Sequence, residues 1–192
     1  MAPPLVMLRL ANIGALRCIR KRSGAYSARF MAKQEHAKLS CHAAWRTLLT
    51  PSALPAFDGT GNLPPGIYQA ALQEIISRFG QGEVREHWGH VLQEILALAR
   101  STEQLEAVYI FGSFVTAKTA PADLDLFLVM SSDFSSNAVE GRARLVFDRS
   151  RAAIVWGSCI YWITARTDRA PFLAAWQLRR DGGQRGIVEV QW

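Results

Sequence analysis

The run Val108-Tyr109-Ile110-Phe111-Gly112-Ser113, then nine residues, then Asp123-Leu124-Asp125-Leu126-Phe127-Leu128-Val129, decides how this chain is read. It describes an apolar strand, a Gly-Ser turn, a short connection, and a second apolar strand that opens on two carboxylates. Side chains at i and i+2 of a strand share a face, so Asp123 and Asp125 are expected to project together. Their Cα atoms would then stand roughly 6.6 Å apart, within reach of one cation. A carboxylate pair suits Mg²⁺, which takes one or two from a protein and completes its octahedron with water and substrate phosphates. Gly112 lets the backbone turn tightly and approach a ligand. A helical turn from Ser113 would offer its first amides to an anion. The stretch supplies a phosphate end and a metal end.

Taken singly, each feature has a plainer reading. Gly112-Ser113 serves equally as a strand-to-helix turn, with glycine relieving strain and serine capping. Asp123 and Asp125 could be solvated acids at a strand start, but like charges on one strand face repel, and only Lys118 is basic nearby.

Moving outward, a helix is expected over about 67–79, with Ile67, Ala70, Ala71, Ile75 and Phe79 on one face and Gly80 beyond its end. A second, over about 84–100, turns Val84, Trp88, Val91, Leu92, Ile95 and Leu98 inward. His87 and His90 share that helix, without a third ligand, and read as solvated. Strands are expected at 106–111, 124–130 and 159–164, with a short last strand over 186–192. Helices are expected over about 138–152, with Asn137 in the capping position, and about 169–179, capped by Asp168. Strands alternating with helices predict an α/β domain: a small mixed β-sheet with flanking helices.

The chain has 192 residues, enough for one sizeable core. Its net charge of +6 is unevenly spread. Residues 1–34 hold seven of the 22 basic residues and no acid, leaving 15 basic against 16 acidic in the remainder. The body therefore lacks a basic footprint, which argues against nucleic acid as the main partner. Residues 1–57 read as a basic, flexible extension and lead-in, and 58–192 as the domain. Cys18, Cys41 and Cys159 are odd in number and far apart, which argues against disulfides or structural zinc and for a cytoplasmic location. No run of about 18 apolar residues offers a membrane span.

Phe111-Gly112-Ser113 followed by Asp123-Leu124-Asp125-Leu126 resembles the signature of the DNA polymerase β-type nucleotidyltransferase superfamily. Leu63-Pro64-Pro65-Gly66-Ile67, Gly112-Ser113-Phe114-Val115-Thr116 with Lys118, and Gly186-Ile187-Val188-Glu189-Val190 add a narrower resemblance, to a family of small, uncharacterised prokaryotic nucleotidyltransferase-like proteins. That resemblance implies a nucleotidyltransferase-like fold and transfer of a nucleotidyl group from an NTP, ATP first among them, to a hydroxyl acceptor. It implies two metal ions about 4 Å apart, Mg²⁺ by expectation, bridged by Asp123 and Asp125. Gly112 and Ser113 would hold phosphates. Lys118 would pair with another, although a mobile surface lysine is its plainer role. The superfamily also uses a third carboxylate on a later strand, and here Gly157-Ser158-Cys159-Ile160-Tyr161-Trp162 contains no acid. Ser158 or Cys159 takes the place, and a thiol is a poor ligand for Mg²⁺. An enzyme acting on a protein, RNA or small molecule and a degenerate, antitoxin-like module binding nucleotide or a partner protein therefore both stay open.

Overall fold

The computed structural model describes residues 54–192. Expectations for the basic tail, for Cys18 and Cys41, and for most of the lead-in lie outside them. Five strands and four α-helices follow in order: β1 (Gly66–Ala71), α1 (Leu72–Phe79), α2 (Glu83–Arg100), β2 (Leu105–Phe111), β3 (Asp125–Met130), α3 (Arg149–Trp156), β4 (Cys159–Thr164), α4 (Ala170–Gln177) and β5 (Gly186–Gln191). The strands form one mixed sheet in the order β1-β5-β2-β3-β4, parallel at β1/β5 and β3/β4 and antiparallel between. The α/β architecture is the one expected.

Side-chain alternation divides the sheet into two faces. Val108, Ile110, Leu126, Leu128, Ile160 and Val188 point to the larger core, against α1, α2 and α3. Tyr109, Phe111, Phe127, Val129 and Ile187 point to a smaller core closed by Leu173, Phe172 and Trp176 of α4. Among the described residues no helix is long and apolar enough to cross a membrane.

Three local expectations are corrected. The stretch from Ile67 begins as strand, not helix: Gly66–Ala71 pairs in parallel with Gly186–Gln191, and helix starts only at Leu72. The helical spacing of Ile67, Ala70 and Ala71 was overridden by hydrogen bonds from a distant segment, and Ile67 is left exposed. In α2, Val84 likewise faces outward, while Arg85 is buried in its stead. The expected helix over 138–152 is instead a 3-10 stretch, Gly141–Phe147, followed by α3. Ala143 and Val146 are buried three apart, which suits three residues per turn. Asp148 caps α3 by accepting a hydrogen bond from the Arg151 amide at 3.0 Å. Asn137 falls in a separate short 3-10 turn, Ser136–Ala138. Asp168 accepts from the Ala170 amide at 3.0 Å and so serves the start of α4.

Candidate functional site

β2 ends where β3, β4 and β5 begin, and the residues picked out from sequence meet there. Phe111 pairs with Asp125 across β2/β3, and Asp125 with Cys159 across β3/β4, so the three lie in a row over adjacent strands. Asp125 is on the face of Phe127, the side closed by α4. Asp123 sits ahead of the strand, not in it as expected. The short loop still folds back far enough that one ligand atom each from Asp123, Asp125 and Cys159 lies within 4.8 Å of the other two.

Gly112 is essential to that packing. Its φ is +78°, and a Cβ built on it would stand 1.9 Å from Asp125 Oδ2. The carboxylate is thus seated against the glycine backbone. Gly112→Ala combines a left-handed φ with this collision and is expected to cost about 1–3 kcal/mol, or to drive Asp125 out of place. A thermal melt several degrees below wild type is the expected reading, and an unchanged melt with unchanged ligand affinity would refute the arrangement.

No helix follows Ser113, contrary to expectation: the chain turns through 112–115 instead. Arg85, buried on α2, donates to the carbonyls of Phe114 at 2.9 Å, Thr116 at 2.6 Å and Lys118 at 3.1 Å, and to that of Phe79 at 2.7 Å. Two of these carbonyls belong to the segment where a helix would need its acceptors, so the guanidinium holds an irregular loop in place of helical bonding. Burial pulls the Arg85 guanidinium below its ordinary pKa. Lys118 contributes its carbonyl to this clamp, and the residue is exposed.

Electrostatics single out one group. Burial, and then the like charge of Asp123, push the Asp125 carboxyl up to about 7, against the opposing pull of Arg185 and Arg149. Arg149 is aimed by Tyr161: its guanidinium lies 4.6 Å from the ring centroid and donates to the phenol oxygen at 3.1 Å. Arg185 immediately precedes β5, and its Nε is buried without a hydrogen-bond partner. Ser113 Oγ is buried without one too. A cavity of about 360 Å³ adjoins Arg149 and is lined also by Ser136, Asn137, Arg144, Phe147 and Asp148.

The structure therefore brings Gly112, Asp123 and Asp125 together, places Ser113 next in the chain, and leaves the Lys118 side chain without an assigned role. Cys159 stands on β4 directly beside Asp125, where the resemblance led to expect an acid. Arg149 and Arg185 escaped the sequence reading. For Arg185 a signal existed: it lies two residues before Ile187, on the same strand parity, just ahead of a strand that reaches the Gly112 end of the sheet. Arg149 carried none, because its role depends on Tyr161. His87 and His90 are exposed on α2, as expected.

The model of a family of unknown function (DUF6932) matches residues 55–191. No curated protein and no solved structure matches the chain.

Proposed function

The chain belongs to DUF6932, a family of unknown function, and we propose that this member is a nucleotidyltransferase-like protein that binds an NTP through a divalent cation. The observation that carries the reading is the seating of the Asp125 carboxylate against Gly112, with Asp123 close by and the unpartnered Ser113 hydroxyl on the residue that follows the glycine. Asp123 and Asp125 would hold the cation, whose charge would offset theirs and that of the triphosphate. Ser113 Oγ and the Arg185 guanidinium are donors with unspent hydrogen-bonding capacity, suited to phosphate oxygens. Arg149, whose charge acts on Asp125, also lines the cavity of about 360 Å³, where an acceptor could be held. In the transfer, an acceptor hydroxyl oxygen bonds to the α-phosphorus, the bond to pyrophosphate breaks, and the hydroxyl proton is released to water.

A second reading has its own support. Cys159 occupies the place of a third acid, which favours a degenerate member that binds a nucleotide or a partner protein, in the manner of an antitoxin-like module, without transfer. Calorimetric titration of the full chain with each NTP, with and without divalent cation, tests both. Cation-dependent binding that Asp123→Ala and Asp125→Ala abolish is the expected outcome, and pyrophosphate release then separates enzyme from module. A chain that binds no NTP under any cation would defeat the nucleotide reading.

A further inference from the structure

The third donor of the Asp123–Asp125 cluster is a thiol, and that alters which ion the cluster should choose. Cys159 and Asp125 are register partners on parallel strands, so their side chains leave the same face side by side. Cys159 is buried, with 5% of its surface exposed. A metal with bonds of about 2.0–2.3 Å to oxygen and sulfur places its ligand atoms roughly 3.3–3.8 Å apart. The three donors already lie within 4.8 Å of one another. Closing the remaining ångström or so falls to Asp123, on the loop ahead of β3.

Mg²⁺ is poorly served by such a set, because it demands oxygen in near-ideal octahedral geometry. Two carboxylates and a thiolate suit a borderline ion that accepts both donor types in a tetrahedron and leaves one position open. Two further observations belong to the turn that seats Asp125. Gly112 has no Cβ, and one would strike Asp125 Oδ2 at 1.9 Å, so the carboxylate can occupy this spot only beside glycine. Ser113 Oγ, on the next residue, is buried with its hydrogen-bonding capacity unspent.

We propose that Cys159 is the third ligand of a divalent-metal site with Asp123 and Asp125, selective for a borderline transition ion such as Zn²⁺ over Mg²⁺. The inference rests on the reading of the two aspartates as metal ligands. On binding, the Cys159 S–H bond breaks, a sulfur–metal bond forms, and the proton leaves to solvent. Arg149 and Arg185 offset the remaining negative charge of two carboxylates and a thiolate around a dication.

The test is titration of the full chain with Co²⁺, whose thiolate complexes absorb in the near ultraviolet, and competition by Zn²⁺, Mn²⁺ and Mg²⁺. The expected result is a sulfur-to-cobalt band in the wild type and in the Cys18→Ser/Cys41→Ser double variant, displaced by Zn²⁺ and not by equal Mg²⁺. Cys159→Ser and Cys159→Ala should both lose the band and weaken Zn²⁺ binding on the order of 100-fold, while Cys159→Ser keeps Mn²⁺ on the aspartates. Using both variants guards against misfolding of either. A band that survives in Cys159→Ser comes from another cysteine and overturns the proposal. Co²⁺ binding that Asp125→Asn abolishes, yet that shows no sulfur band, overturns it too and leaves the carboxylate site standing. A wild type that binds none of the ions overturns both together.

Discussion

Arg85→Met should lower the melting temperature by more than about 10 °C, the largest stability effect expected of any single change described above. The wild-type guanidinium serves four carbonyls from inside the fold, those of Phe79, Phe114, Thr116 and Lys118. Methionine fills similar space and donates nothing. The Lys118 carbonyl belongs to an exposed residue and can turn to water, but those of Phe79, Phe114 and Thr116 belong to buried residues. Each orphaned buried carbonyl costs about 1–3 kcal/mol, so the loss of all three is expected to cost at least about 3 kcal/mol. Arg85→Lys should recover only part of this, since one ammonium cannot reproduce the planar fork that spans several acceptors. Amide hydrogen exchange gives the sharper check. Amides of 112–118 should exchange faster in Arg85→Met even at temperatures where the sheet is intact, because the clamp holds that loop specifically. A melt within about 2 °C of wild type would mean that water replaces the guanidinium, and that the clamp is not what shapes the Gly112-Ser113 turn.

The second large effect separates function from stability. Asp125→Asn should abolish divalent-cation binding and, without metal, make the protein more stable than wild type at pH 8. The folded chain holds the Asp125 carboxyl at about 7, above its ordinary value of 3.8. Between those pH values the folded state keeps a proton that the unfolded state has lost, so stability falls as pH rises across that window and levels off above about 7. Three pH units correspond to about 4 kcal/mol at most, and partial exposure reduces this to about 2 kcal/mol. Asparagine removes the charge and with it the dependence. The expected observation is a wild-type melting temperature that drops by several degrees from pH 5 to pH 8, and an Asp125→Asn profile that is flatter and higher at the alkaline end. Parallel profiles would show that Asp125 is not held in its neutral form.

The sequence makes some of this site readable and hides the rest, for physical reasons. β2 and β3 are nearly unbroken apolar runs, buried on both faces, and their identity does not depend on neighbours. The carboxylate pair was visible because Asp-x-Asp at the start of an apolar run carries a cost that needs an explanation. β1 was hidden because Ile67, Ala70 and Ala71 fit a helical stripe, and only pairing with β5 makes them a strand. Arg85 was hidden for a similar reason: an arginine on a helix is ordinarily solvated, and only the irregular loop opposite gives it a buried task. The sequence leaves the third position open between Ser158 and Cys159, and it is Cys159 that pairs with Asp125 in register. Its placement beside Asp125 follows from strand register, which spacing along the chain does not state.

The position of β5 has a consequence for how the chain is made. β5, the last of the five described strands, inserts between β1 and β2, and Gln69 meets Glu189 across 120 residues of sequence. A nascent chain emerging at about 5–20 residues per second therefore carries β1 without a neighbour for roughly 6–24 seconds. Until Gly186–Gln191 leaves the ribosome, β2 also shows one unpaired side, and both are open to strands of other chains. Folding cannot finish by accretion from the amino end; it waits on a closing strand. A chain truncated before Gly186–Gln191 should then yield aggregates in place of a slightly shortened domain.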